Sequence, residues 1–324
     1  MIPPEPGLNG RMQRNTSILI GLAVVVLAGV IGFLVLSGGP ATDPETSPLA
    51  SAESSAVPSV EASAELNAEL LDRRWTVLFV GTDLNASREN DPAFVPNADA
   101  LMLVSLSADQ SELTLVSLPR DTVDVPLPDG GTWTRKINAL YFEEGIEAVV
   151  GAMEALYDVP IDGHVALDMD DFTALVDAVG GVEVSPEAPL VDPKVDLDLE
   201  AGPQEIDAVT ANGYVRTRVD QDYGRMGRQQ EVLLEIVERM TAPDADIDFA
   251  ALVESLDSLE TDLPLGELPT LLELARRAGD AEVTRLLIRP PLILFEGDRN
   301  DGRGYVLEPD VEAIRAEVGA LLGD

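Results

Sequence analysis

The chain has 324 residues, 45% of them hydrophobic, enough for one large domain with a sizeable core. It carries 59 Asp and Glu against 21 Lys and Arg, a formal net charge of −38. That balance excludes a nucleic-acid partner held through cationic contacts to phosphates, and docking on anionic lipid through a general positive field. There is no cysteine, so thiol nucleophiles, disulfides, Cys-ligated zinc and Cys-linked lipid anchors are excluded as well.

Residues 1–16 form a short tail that includes Arg11 and Arg14. Ser17 to Ser37 reads "SILIGLAVVVLAGVIGFLVLS", 21 residues without a charge, long enough to span a bilayer. The positive-inside rule places the tail in the cytoplasm and everything after residue 37 outside the cell membrane. A retained single-pass anchor is favoured over a cleaved signal peptide, because the apolar run is longer than a usual signal-peptide core. Residues 38–70, rich in Ala, Ser, Pro and Glu, are expected to be a disordered linker.

The folded part is expected over 71–324, with a core at 75–240 and a C-terminal extension at 241–324. "WTVLFVG", "ALMLVSL" and "ELTLVSL" read as strands, the last two joined by the turn "SADQS". Asn138 to Tyr157 has helical spacing, "GHVALD" reads as a strand, and "MDDFTALVDAVGG" as a helix stopped by Gly180 and Gly181. "GYVRTR" reads as a strand end, and Gln229 to Met240 as a helix. A helix over Leu265–Ala278, a strand over Val283–Arg289 and a helix over Pro309–Leu322 complete an α/β pattern. The apolar faces of Asn138–Tyr157 and Phe172–Val179 are candidates to line a lipid tunnel, although ordinary core packing explains such spacing more simply. The single histidine, His164, falls in a strand and reads as structural.

"RTRVDQDYGRMGRQQ" gathers Arg216, Arg218, Arg225 and Arg228 in an otherwise acidic chain. On a strand, Arg216 and Arg218 share a face; on a helix, Arg225 and Arg228 do. Four guanidinium forks converging in this way suit a diphosphate, which arginine binds bidentately. Arg120 in "LPRDT", with Arg135 and Lys136 in "TRKIN", forms a second basic cluster.

The ordered set "VLFVGTD", "NADALMLVSL", "LTLVSLPRDT", "KINALY", "LVDAVGGVEV", "GYVRTR" and "DYGRMGRQQ" resembles the LytR–CpsA–Psr family. The resemblance implies a single domain with a central mixed β-sheet flanked by helices and a hydrophobic lipid tunnel. It also implies an enzyme that moves an anionic glycopolymer from a polyprenyl-pyrophosphate carrier onto peptidoglycan through a phosphodiester, with Mg²⁺ as cofactor. Matched motif by motif, Asp83 and Asp99 correspond to the metal carboxylates. Arg120, Arg216, Arg218, Arg225 and Arg228 correspond to the pyrophosphate-binding arginines, with Lys136, Asn138 and Gln229 at further binding positions. Asp99, Arg120, Asp121 and Asp222 are the catalytic candidates, one of the last two carboxylates accepting the proton of the attacking sugar hydroxyl. Two positions depart from the family pattern: Asn85 and Asn97 stand where it has cations, and Ala100 replaces a hydroxyl. Arg88, in the loop between them, is the candidate to compensate. Hydrolysis of the lipid diphosphate and non-catalytic binding of polyprenyl phosphate are the alternative functions.

Overall fold

The computed structural model describes residues 66–241, 259–264, 267–279 and 281–323. The expected membrane anchor at 17–37 and most of the expected linker lie outside them. The described residues begin inside the segment expected to be linker. Asn67 caps a four-residue helix, its side chain accepting from Glu69 N at 3.1 Å, and its own N–H donates to Thr270 Oγ1 at 2.9 Å.

In chain order the elements are α1 (Ala68–Leu71), β1 (Trp75–Thr82), α2 (Ala86–Glu89), β2 (Ala98–Leu106), β3 (Glu112–Ser117), β4 (Val125–Pro126), β5 (Thr132–Trp133), α3 (Leu140–Glu144), α4 (Ile146–Tyr157), β6 (Gly163–Leu167), α5 (Met169–Ala178) and β7 (Val182–Val184). Then follow β8 (Leu190–Asp192), β9 (Leu197–Leu199), β10 (Gln204–Ile206), α6 (Ala208–Arg216), α7 (Gln221–Thr241), β11 (Glu260–Thr261), α8 (Leu268–Ala278), β12 (Glu282–Leu287), β13 (Ile293–Asp298), β14 (Tyr305–Pro309) and α9 (Val311–Leu322).

The main sheet runs β11-β6-β1-β2-β3-β12. The β1–β2–β3 meander is antiparallel, while β6 on β1 and β12 on β3 are parallel, so the sheet is mixed, as expected. The central strands β1, β2, β3 and β6 are buried on both faces, which explains their near-continuous apolar runs. The period-two alternation then sorts the residues into two cores. Trp75, Val77, Phe79 and Met102 join the core under α5, α6 and α7. Leu78, Val80, Leu101 and Leu103 join the opposite core, with α4 and α9.

His164 is buried in β6, where β11 covers the strand's outer edge and Asp262 Oδ1 accepts its backbone N–H at 2.8 Å. It falls in a strand, as expected. Helix α5 starts at a capping box: Asp168 accepts from Asp170 N and Asp171 N, and Asp171 accepts from Asp168 N. It ends at Gly180 and Gly181, whose φ values are +76° and +92°. A Cβ on Gly181 would sit 2.7 Å from the carbonyl oxygen of Ile206. Gly181→Ala is therefore expected to destabilise the domain by about 1–3 kcal/mol, read as a lower urea midpoint at unchanged slope.

Three local expectations are corrected. "GYVRTR" is not a strand: through Arg216 it is the last turn of α6, and Thr217 and Arg218 lie in the following loop. The buried Ala208, Ala211 and Tyr214 recur every three residues behind the Asp207 cap, so helical period overrides the local β-propensity. The expected Asn138–Tyr157 helix is broken by Gly145 at φ +87°, and its main piece α4 packs in the second core. Helix α7 begins eight residues earlier than expected, at Gln221. The β4–β5 and β8–β9 hairpins and the β7–β10 pair were not visible as alternating runs because each strand has only two or three residues, and the longer β13–β14 hairpin was missed as well.

Candidate functional site

A cavity of about 270 Å³ opens between the first face of the sheet and helices α5, α6 and α7. Its inner wall is apolar, with Phe79 and Met102 from the sheet, Phe172 and Leu175 from α5, and Leu233 and Ile236 from α7. Its other end is charged and holds Asp83, Arg88, Asp99, Arg216, Arg218 and Arg225. Arg225, Gln229, Leu233 and Ile236 are four, four and three residues apart. One face of α7 therefore runs from guanidinium to hydrocarbon.

Asp99, at the start of β2, is the node of the charged end. Its Oδ1 accepts from Arg120 Nη1, its Oδ2 accepts from Arg218 Nη2 at 3.3 Å, and its backbone carbonyl accepts from Arg225 Nη1 at 2.6 Å. Arg225 is 1% exposed and also grips Asp222 with two parallel bonds, 2.9 and 3.0 Å. Burial would raise the Asp222 carboxyl, but the Arg225 fork outweighs it and holds the pKa below the usual range. At Arg120, burial is outweighed by the Asp99 carboxylate, so its pKa rises. Arg120 Nε is buried without an acceptor; the nearest carboxylate oxygen, Asp121 Oδ2, stands 3.9 Å away.

Arg120 itself is not in the cavity lining, and two of the arginines that are, Arg218 and Arg216, are less well matched. Burial, then the charges of Arg120 and Arg225, lowers the pKa of Arg218. Burial, then the charge of Arg88, lowers that of Arg216, which donates to Asn212 Oδ1 at 3.2 Å and has no salt-bridged carboxylate among the described residues. Asp168 and Asp171 also line the cavity, so four arginines and four carboxylates share it, and burial is the main reason these two guanidinium groups are disfavoured.

Asp83, at the end of β1, faces the same mouth. Its Oδ1 accepts from Asn97 N at 2.7 Å. Burial raises its pKa; the Asn97 N–H opposes this and the nearby Asp99 charge adds to it. Arg88 lines the cavity, donates to the Asp83 carbonyl at 2.5 Å and stacks 4.9 Å over the Phe94 ring. The side chain of Asn85 caps α2 by accepting from Arg88 N at 2.9 Å, and that of Asn97 donates to the Val95 carbonyl. Both Asn residues are engaged locally, and Arg88 is the cation that lines the cavity beside Asp83.

Not every expected site residue reaches the cavity. Arg228 is 5% exposed and turned into the protein: its Nε donates to the Tyr214 carbonyl at 2.8 Å and its Nη2 to the Thr217 carbonyl at 2.5 Å, while Nη1 pairs with Asp220. It clamps the end of α6 to α7, which corrects its expected place in phosphate binding. Asn138 is likewise buried, its N–H donating to the Arg120 carbonyl at 3.1 Å, and it positions that arginine rather than facing a ligand. Lys136 Nζ pairs with Asp121 Oδ1 at 2.8 Å outside the cavity lining. Gln229 lines the cavity and donates to the Val215 carbonyl at 3.3 Å. Of the two helices expected to line a tunnel, α5 does so and α4 lies across the sheet. The apolar cavity residues Val195, Val215, Leu233 and Ile236 were missed; the four-residue spacing from Arg225 was the available signal for the last two.

The LytR_cpsA_psr family model matches residues 44–315. The chain belongs to that family. The match extends beyond 75–240 in both directions and takes in most of the C-terminal extension. The chain is 27% identical over 263 residues to biofilm regulatory protein A of Streptococcus mutans, the alignment covering 76% of this chain and 63% of that protein. It is 28% identical over 249 residues to TagV of Bacillus subtilis, named a polyisoprenyl-teichoic acid–peptidoglycan teichoic acid transferase, covering 73% of this chain and 61% of that one. The chain thus spans less than two thirds of the length of these relatives. The crystal structure of B. subtilis TagV matches with a TM-score of 0.61 at 24% identity, over 78% of this chain and 98% of that one. A structure of TagT bound to LIIa-WTA matches with a TM-score of 0.59 at 22% identity, over 82% and 96% of the two chains. These likenesses establish the single mixed-sheet α/β domain.

Proposed function

We propose that this protein is a membrane-anchored, extracytoplasmic phosphotransferase that moves an anionic glycopolymer from a polyprenyl-pyrophosphate carrier onto peptidoglycan through a phosphodiester bond. The observation that carries this reading is one cavity with an apolar inner wall and a charged mouth where Arg88, Arg216, Arg218 and Arg225 gather, Arg216 without a salt-bridged carboxylate among the described residues. A prenyl chain suits the wall and a diphosphate suits the mouth. The buried Arg120 Nε adds a donor whose acceptor the protein does not supply. The transferase name of TagV and the TagT complex with LIIa-WTA support the same chemistry.

In this mechanism the acceptor hydroxyl oxygen attacks the phosphorus that bears the glycopolymer. The bond from that phosphorus to the polyprenyl phosphate oxygen breaks, and polyprenyl phosphate leaves with the electron pair. Arg120, Arg216 and Arg218 hold the diphosphate and stabilise the charge that grows on the leaving group. Arg225 keeps Asp222 ionised, and Asp222 or the neighbouring Asp121 takes the hydroxyl proton. Asp83 and Asp99, hard oxygen donors that line the same mouth, would hold a magnesium ion there. Among the described residues no group of three or more acidic or His side chains is placed to hold a metal ion. When bound, the ion supplies neutralisation of phosphate charge.

The test is the affinity of the full chain for long-chain polyprenyl phosphate. Arg218→Ala is expected to weaken binding by about 1.5–3 kcal/mol, the value of a charged contact in a half-buried site. Unchanged affinity in both Arg216→Ala and Arg218→Ala would overturn the head-group assignment. Labelled glycan entering sacculi separates transfer from hydrolysis, which releases the label to solvent. In the same assay, Arg88→Ala is expected to slow transfer, whereas an inert Arg88→Ala with a faster Asn97→Arg would show that Arg88 does not compensate.

A further inference from the structure

Beyond the cavity, the C-terminal hairpin is fastened to the reacting end of the site. Leu307 of β14 donates its N–H to the Asp121 carbonyl at 3.1 Å and accepts from Val123 N at 2.9 Å, forming a parallel bridge with Thr122. The loop between β13 and β14 is tied to the same segment by Arg303, whose Nη1 donates to Asp124 Oδ2 at 3.0 Å. Arg299 lies 3.6 Å over the Phe295 ring and pairs with Glu308, which stiffens the hairpin across its own strands. The hairpin's place relative to Arg120 and Asp121 is therefore set by main-chain bonds, not by a loose loop.

On this hairpin Glu296 joins two tyrosines. Its Oε2 accepts from Tyr223 Oη of α7 at 3.0 Å and its Oε1 from Tyr305 Oη of β14. Tyr305 is 49% exposed. None of the three residues lines the lipid cavity. Tyr223, Ile293 and Leu307 pack with the second core, across the sheet from the cavity's apolar wall. Arg120, Asp121 and Asp222 stand between the two: on the cavity side Asp99 binds Arg120 and Arg225 binds Asp222, and on the other the Asp121 carbonyl accepts from Leu307 of the hairpin. In-line displacement at phosphorus needs the nucleophile opposite the leaving group. With the leaving polyprenyl phosphate in the cavity, the attacking hydroxyl approaches from the hairpin side. A pyranose presents an apolar C–H face, which a tyrosine ring covers, and hydroxyls, which a carboxylate accepts.

We propose that Tyr305, Tyr223 and Glu296 form the subsite that binds the acceptor sugar and aims its hydroxyl at the Arg120–Asp121 segment. This rests on the transferase reading, and the experiment separates the two. Full-length protein in detergent is titrated with a soluble, undecorated peptidoglycan glycan oligomer, and binding is followed by saturation-transfer NMR. Acceptor KM in the transfer assay is measured alongside. Tyr305→Ala and the isosteric Glu296→Gln are each expected to weaken oligomer binding and raise acceptor KM about tenfold. Tyr305→Phe, which keeps the ring, should lose less than Tyr305→Ala, and polyprenyl phosphate affinity should change by less than about twofold in all three. If wild type does not bind the oligomer, or binds it no better than Tyr305→Ala and Glu296→Gln, the subsite is wrong. Oligomer binding that depends on these residues in a protein that transfers nothing sustains the subsite and sinks the transferase reading.

Discussion

Arg225→Ala is expected to destabilise the domain by about 3 kcal/mol, the lower end of the cost of breaking a buried ion pair. The side chain is 2% exposed against 24% for Asp222, and its loss strands the Asp222 carboxylate and the Asp99 carbonyl together. Arg225→Lys is expected to recover little, since a point charge cannot reproduce the two parallel bonds to Asp222. Arg218→Ala serves as the contrast: its side chain is 39% exposed, so the fold should lose less than about 1 kcal/mol while ligand binding falls. Urea unfolding of the three variants checks this, and equal loss from Arg225→Ala and Arg218→Ala would be evidence against the burial argument. The same pair sets an acid limb. Asp222 has a folded pKa below its ordinary 3.8, so its contribution is complete above that value and is lost as pH falls through the folded one. Asp222→Asn should lower stability at neutral pH and flatten its decline below pH 4.

Asp99→Asn is expected to cut transfer about a hundredfold or more, the scale on which removing one preorganised electrostatic group slows a reaction. The substitution keeps the shape but removes the charge that balances Arg120 and Arg218. Polyprenyl phosphate should therefore bind the variant at least as tightly as wild type in the absence of magnesium, since both guanidinium groups are freed for phosphate. The magnesium dependence of turnover should disappear with it. Melting temperature, lipid affinity with and without magnesium, and glycan transfer distinguish this from a structural role. A large fall in melting temperature with full specific activity in the surviving protein would place Asp99 in the scaffold instead.

The main strands were legible because a sheet buried on both faces writes itself as unbroken β-branched runs, and β1, β2, β3 and β6 fall where those runs lie. Helix α5 was legible at both ends through its acidic start and its paired glycines. Asp83, Asp99, Arg88, Arg216, Arg218, Arg225 and Gln229 were all named from motif and charge, and all line the cavity. The β13–β14 hairpin was not legible: its strands mix apolar and charged residues, and its position depends on main-chain bonds to a segment nearly two hundred residues away in sequence.

What the sequence alone determined is the inventory: an acidic chain, strands of fixed facing, and a cluster of arginines near two separated carboxylates. It could not assign those arginines to roles, because Arg225 and Arg228 share a helix, a charge and a spacing that puts them side by side. The tertiary structure decided between roles and destinations. The end of α6 brings the Tyr214 and Thr217 carbonyls to Arg228 and makes it a clamp, while the start of β2 brings Asp99 to Arg225 and keeps it in the wall of the cavity. A guanidinium takes whichever acceptors burial leaves unsatisfied, and those are set by neighbours distant in the chain rather than by its own place in it.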